Sequence, residues 1–357
     1  MPYCQRCGTR LADDAHFCPK CGTPVASPIF SPPASPVPMK PIRNDPLIIG
    51  AIVLIAILVG GVVVAVLLAA PFATVNINQS YQDHTANINK LNLNIESQAL
   101  KINVFTQNVT SNNNFLITFD GSASKGPFSG GSDSPIQVTF TKDTVNKELT
   151  LTANITQSTA FSRFNVNCNV YVNPDLIRIL NVTSQAGEVS LTADRPATFE
   201  SINLQSSAGT VEANLENTTI AGNMTLRTQA GTVNLRMNEV NDEGNNTVTL
   251  QTNAGSVGMD ITQTKMLQGN LQINAATNLG SVNVGLVVDG DVGAKLVSQT
   301  SLGSLHTYVQ HFSGNQSPIQ SDNYPAASNI EIDSRTNLGS ISINANYESS
   351  TGPSIRN

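Results

Sequence analysis

Four cysteines at the start of the chain are the residues best suited to chemistry. Cys4 and Cys7 form one Cys-x-x-Cys pair, and Cys18 and Cys21 form a second after ten intervening residues. Two such pairs offer four thiolates, the donor set of a tetrahedral structural zinc site. Gly8 and Gly22 follow the second cysteine of each pair, where the chain must turn back with positive φ, and glycine does so cheaply. The segment is too short for an apolar core, so the metal must supply its folding energy. His16, two residues before Cys18, is a surface residue on this reading, because four thiolates already close the site. A closed tetrathiolate site has no open position for substrate, so the expected cofactor is one structural Zn2+ and the expected role is not catalysis.

Residues 1–25 therefore read as a zinc-clamped module, and the elements beyond it read as its anchor and its outer partner. Residues 26–46 hold seven prolines and three serines, an extended semi-rigid linker. Residues 47–70, Leu47 to Ala70, are 24 residues without a charge. At about 1.5 Å per residue they make roughly 36 Å of helix, enough to cross a bilayer core of about 30 Å. Lys40 and Arg43 precede this run and no Lys or Arg follows until Lys90. Flanking positive charge places the N-terminus in the cytoplasm and the C-terminal domain outside, in a single-pass cell-membrane protein. The redox argument agrees, since free thiolates persist in the reducing compartment.

The outer part is a repeat. A four-residue motif, Ser/Thr-x-Ala/Leu-Gly, ends at Gly187, Gly209, Gly231, Gly255, Gly280, Gly303 and Gly339, with spacings of 22, 22, 24, 25, 23 and 36 residues. Around the third copy Met224, Leu226, Thr228 and Ala230 alternate with polar residues, and after Gly231 the phase flips to Val233, Leu235 and Met237. Alternation predicts strands with one buried face, and a flip at glycine predicts a corner that re-aims the chain. The fold class expected is mainly β: an extracytoplasmic β-solenoid of about seven 22–25-residue coils over 173–347, with a short tail at 348–357. The hydroxyl three residues before each glycine points inward and bonds along the stack. A stack of antiparallel sheets accounts for the alternation but not for the even period. Residues 71–172 also read as strands, either a separate β module or the cap that a solenoid end requires. The long gap before Gly339, with an insertion around His311 to Ala327, departs from a regular array.

Two resemblances rest on these residues. The stretch YCQRCGTRLADDAHFCPKCGTPV, Tyr3 to Val25, resembles the short zinc-ribbon domain at the N-termini of prokaryotic membrane proteins, which implies zinc and a structural or interaction role. The lead-in CNVYVNPDLIRILNVTSQAGEVSL and the successive T-x-A-G-x-V turns, over roughly 165–345, resemble the putative-adhesin β-solenoid family of prokaryotic envelope proteins.

No catalytic constellation accompanies the repeat. His84, His306 and His311 sit in no nucleophile or metal motif, and Asp289-Gly290-Asp291 lacks the further acidic positions of a calcium loop and reads as a turn. The outward positions two before each glycine are Gln185, Ser207, Gln229, Asn253, Asn278, Ser301 and Asn337, a neutral row suited to sugars, to another copy or simply to water. From Ala73 onward there are 14 Lys/Arg against 22 Asp/Glu, a net charge near −8 that excludes nucleic acid as a partner. Cys168 is a lone outer cysteine that reads as a buried apolar residue. The expected function is non-enzymatic: a membrane-anchored cell-envelope protein whose solenoid mediates adhesion, glycan binding or assembly. The alternative is a transmembrane sensor or assembly factor that relays outer binding to a cytoplasmic protein at the ribbon. A polysaccharide-active solenoid enzyme ranks last.

Overall fold

A computed structural model describes residues 3–12, 15–24, 73–107, 113–125, 134–159, 161–314 and 317–348. The chain divides into two compact units, Met1–Ala69 and Ala70–Asn357. The expected membrane helix, 47–70, and the linker, 26–46, lie outside the described residues. Among the described residues no helix is long and apolar enough to cross a membrane.

The described residues of the first unit are two cysteine knuckles. Isolated bridges join Tyr3 to Arg10 and Phe17 to Pro24, and the buried cluster is Cys4, Leu11 and Cys18 with Ala15 against it. Three buried residues cannot offset the conformational entropy of a chain this long.

The second unit is mainly β. Its N-terminal strands are β1 (Ala73–Asp83), β2 (Lys90–Ala99), β3 (Lys101–Thr106), β4 (Phe115–Lys125), β5 (Ile136–Val145), β6 (Glu148–Gln157) and β7 (Phe161–Val172). The repeats begin with β8 (Ile177–Ala186), β9 (Val189–Ala193), β10 (Thr198–Phe199), β11 (Ser201–Ala208), β12 (Val211–Glu216) and β13 (Thr219–Ile220). They continue as β14 (Met224–Ala230), β15 (Val233–Asn238), β16 (Asn241–Asp242), β17 (Thr247–Ala254), β18 (Val257–Gln263), β19 (Leu271–Leu279) and β20 (Val282–Asp289). The last described strands are β21 (Val292–Leu302), β22 (Leu305–Gln310), β23 (Phe312–Ser313), β24 (Ile319–Ser321), β25 (Ser328–Leu338) and β26 (Ile341–Glu348).

Each motif glycine separates two strands, and the two go to different sheets. The strand before the glycine joins a 12-stranded sheet ordered β23-β24-β21-β25-β19-β17-β14-β11-β8-β2-β6-β5. The strand after it joins an 11-stranded sheet ordered β1-β4-β7-β3-β9-β12-β15-β18-β20-β26-β22. Short strands β10, β13 and β16 make a third side. Neighbouring repeats pair in parallel and in register, Val211 on Val233, Val233 on Val257, Val257 on Val282 and Val282 on Ile341. These side chains form one column, each fully buried. Burial of each contributes about 1.5–3 kcal/mol, which is how units that cannot bury their own inward row become stable by stacking.

The stack does not follow chain order. The seventh copy, β25 and β26, lies between the fifth, β19 and β20, and the sixth, β21 and β22. The inward residues explain the choice. Ile341, Ile343 and Ala345 are buried between two neighbours, whereas Leu305, Thr307 and Val309 of the sixth copy retain solvent exposure at the end of the sheet. The more apolar copy occupies the doubly covered position. The irregular insertion after Gln310 makes this possible: β23 and β24 form an antiparallel pair, β24 lies antiparallel on β21 and buries Ile319, and the chain then returns for β25.

The described residues of 73–172 are both rungs and cap, and the two sheets take in strands from both sides of position 172. β2 and β3 pair in parallel with β8 and β9, and β6 and β7 pair in parallel with β2 and β3. The described residues thus hold nine stacked pairs, about 38 Å at roughly 4.8 Å per strand. Beyond them β5, β4 and β1 pair antiparallel and close the N-terminal end.

Candidate functional site

In the N-terminal unit the backbone builds two near-identical turns. Cys4 N–H donates to Thr9 O at 2.9 Å and Gly8 N–H to Cys4 O at 2.9 Å; Cys18 N–H donates to Thr23 O at 2.9 Å and Gly22 N–H to Cys18 O at 2.8 Å. Gly8 and Gly22 have φ of 69° and 67°, as the spacing predicts. The turns bring the four Sγ atoms within 4.8 Å of one another, with Cys4–Cys21 and Cys7–Cys18 each at 3.6 Å. A tetrahedron with Zn–S bonds of about 2.3 Å has edges of about 3.8 Å, so the donor set and its spacing fit zinc. The His16 side chain is exposed and stands outside the thiol cluster.

Sequence reasoning passed over two supporting residues. Thr9 and Thr23 follow each Cys-Gly pair, with hydroxyls 3.3 Å from Cys7 Sγ and 3.2 Å from Cys21 Sγ. These hydroxyls lower both thiol pKa values, that of Cys21 to about 6, with the adjacent backbone N–H groups assisting. Such contacts orient metal ligands and favour the thiolate. The repeated Cys-Gly-Thr was the available signal.

In the C-terminal unit the motif residues gather at one corner of the stack. The glycines adopt φ between 114° and 158°, a region open to glycine and not to side chains. A Cβ on Gly231 would stand 2.0 Å from Gly209 O, and one on Gly255 1.8 Å from Gly231 O. Each corner except Gly303, on the last rung, carries two bonds to the next rung: Gly209 N–H donates to Ala230 O at 2.9 Å, and Thr228 Oγ1 donates to Gly209 O at 3.2 Å. The same hydroxyl-to-glycine bond recurs from Ser206, Thr252, Thr277, Thr336 and Thr300, at 3.0–3.2 Å. The inward hydroxyls bond along the stack as expected, with glycine carbonyls as acceptors.

One expectation fails at this corner. The residue before each glycine belongs by alternation to the inward set, yet Ala230 and Ala254 are exposed, as are Leu279 (50%), Leu338 (46%) and Leu302 (68%). The ladder skips a residue here, pairing Thr228 with Thr252 and then Ala230 with Ala254, so two successive side chains face outward. The amide row Gln185 to Asn337 is exposed beside it, and Asn337 Nδ2 donates to Asn278 Oδ1 at 3.1 Å because the seventh copy adjoins the fifth. One rung lacks the motif glycine. Ser97 and Ala99 align with Ser184 and Ala186, but Leu100 replaces the glycine.

The remaining candidates do not converge. Among the described residues, no second group of three or more His, Cys, Asp or Glu could hold a metal. Gly290, with φ of 60°, makes the Asp289–Asp291 segment the turn between β20 and β21. His306 bonds to Ser304 at 2.9 Å, and His311 lies 3.9 Å from Asp322. Cys168 is fully buried, and burial pushes its thiol up to about 12, which leaves it inert as the apolar residue expected.

The zinc-ribbon domain family matches residues 3–25. Among solved structures the chain is similar to a putative cell adhesion protein from Clostridium sporogenes, at 13% identity and TM-score 0.32 over 77% of this chain and 100% of that one. It is also similar to a putative adhesin from Bacteroides fragilis, at 13% identity and TM-score 0.33 over 76% and 97%. A putative adhesin from Parabacteroides distasonis follows, at 10% identity and TM-score 0.30 over 75% and 97%. No curated protein matches.

Proposed function

We propose that the chain is a single-pass, non-enzymatic envelope protein: a cytoplasmic ribbon holding one structural Zn2+ on Cys4, Cys7, Cys18 and Cys21, a helix over 47–70, and an outer β-solenoid that adheres by binding envelope glycan or another copy. The observation that supports adhesion is the corner itself. Three parallel rows, the two residues before each motif glycine and the one after, carry a single charge, Glu188, in seven copies. A stripe of amides, hydroxyls and alkyl groups with one charge, ending in three exposed leucines, is the composition of a docking surface. Cells displaying the chain with Leu279, Leu302 and Leu338 all changed to Ser should lose adhesion or self-association while the domain melts as before. A hydrolase or lyase activity on polysaccharide, lost on replacing outer carboxylates, would overturn the reading. For the topology, an impermeant thiol reagent should leave the four N-terminal cysteines of intact cells unlabelled, and labelling would reverse the orientation.

A second reading, relay to a cytoplasmic partner, is favoured by Tyr3 and Phe17. Each precedes the first cysteine of its knuckle, and they are 62% and 65% exposed. Exposed aromatic rings on a metal-folded module are the kind of anchor partners bind. Deleting Met1 to Thr23 without changing any surface phenotype would eliminate it.

A further inference from the structure

Two glycines on the outer face of the 11-stranded sheet have no backbone reason to be glycine. Gly258 in β18 and Gly285 in β20 lie inside strands, and neither has positive φ. A Cβ on Gly258 would first meet Asn234 Oδ1 at 2.9 Å, and one on Gly285 would first meet Asp260 Oδ1 at 2.5 Å. Both are ends of flexible side chains that can swing aside. The corner glycines differ, since there an added Cβ would meet backbone carbonyls. Glycine inside a strand weakens it, and its presence marks a place where something approaches the sheet closely.

The two glycines open a trough of about 450 Å³ across the strands. Its walls carry Asn234, Asn283 and Asn344, with Arg236 and Asp260 paired at 4.0 Å. A second depression, at His306 and Tyr308 of β22, shares Ser342 and Asn344 with the first. Together they cross β12, β15, β18, β20, β26 and β22, about 24 Å at roughly 4.8 Å per strand. Glu212 lines one end and the Tyr308 ring, 64% exposed, stands at the other.

We propose that this trough binds a neutral, linear oligosaccharide lying across the strands. Amides and a solvent-facing Arg–Asp pair offer donors and acceptors together, which is what a row of hydroxyls requires. Tyr308 supplies an apolar ring for the C–H face of a sugar. The strand spacing is close to the length of one sugar unit in an extended chain, so successive rungs meet successive units. With Glu212 and Asp260 against Arg236 the lining is net negative, which disfavours a polyanion; β12, β15, β18, β20 and β26 are hydrogen-bonded on both sides, so only β22, the edge of the sheet, has a ladder open to a peptide strand. The proposal rests on the adhesion reading and assigns it a ligand and a site distinct from the leucine corner.

The test uses the full chain in detergent micelles, titrated calorimetrically with cellohexaose, chitohexaose and mannohexaose. At least one should bind. Gly258→Asn and Gly285→Asn should each weaken binding at least about tenfold at unchanged melting temperature. Tyr308→Ala should weaken it as well, while the corner variant Asn278→Ala/Asn337→Ala should not. Binding undiminished in both glycine variants would overturn the site and leave adhesion standing. No binding to any of the three sugars, with cell adhesion intact, would overturn the ligand class alone. Adhesion unaffected by deletion of 73–348 would remove the reading beneath both.

Discussion

The two units reach order by opposite routes. Among the described residues, the N-terminal one has three buried residues and four thiols at metal spacing, and the C-terminal one has a continuous apolar core and no second metal cluster. In the first, the four thiols are where a bound metal would concentrate the folding energy of the ribbon. In the second it is spread over nine stacked pairs, each contributing to its neighbours. A repeat buries its inward row only by stacking, whereas a ribbon of about 25 residues has nothing to stack on.

The largest expected effect tests that contrast directly. Chelating zinc, or changing Cys18 to Ser, should unfold the ribbon outright, since structural zinc contributes about 10–16 kcal/mol of binding free energy. Thiol labelling should then report all N-terminal cysteines together, while the melting temperature of the β unit stays fixed. Melting that moves with zinc would mean the two units are coupled.

Within the β unit, the glycines separate two kinds of position. Gly255→Ala should destabilise by more than about 4 kcal/mol, because φ is 139° and the added carbon would stand 1.8 Å from a backbone carbonyl. Gly258→Ala, three residues on, should change stability by under about 1 kcal/mol, since only a side-chain amide must move. Denaturant melts of the pair decide it, and equal losses would refute the division into corner and trough glycines.

Smaller again is the hydroxyl. Thr252→Val should cost about 1 kcal/mol by removing the bond to Gly231 O, seen as a lower unfolding midpoint with an unchanged denaturant slope.

The smallest effect lies in the N-terminal cap. Partial burial would raise the Asp83 carboxyl, but Lys142 at 2.5 Å, Thr85 and Asn114 prevail and hold it below the usual carboxylate range. A depressed folded-state pKa gives stability that is present above the unfolded value near 4 and is lost as pH falls toward the folded value. Lys142→Met should therefore cost under about 1 kcal/mol at pH 7 and flatten the stability change below pH about 4. An unchanged acid profile would show that the pair contributes nothing.

The sequence alone determined what depends on local spacing. Two Cys-x-x-Cys pairs ten residues apart suffice to gather four thiols, because each pair closes its own turn. The even period and the phase flip at glycine suffice to define strand, corner and strand, because alternation has a period of two whatever the neighbours are. Tertiary structure decided which repeat touches which. Every copy presents nearly the same edge, so local sequence cannot order them; the seventh copy lies inside the sixth because Ile341 and Ile343 gain more from two neighbours than Leu305 and Thr307 do. The rung at Ser97–Leu100 was hidden because its glycine is replaced, and it is recognisable only from its pairing with Ser184. The outward turn of Leu279, Leu302 and Leu338 was hidden too: strict alternation places them inside, and only the skipped residue in the paired ladder turns them to the surface.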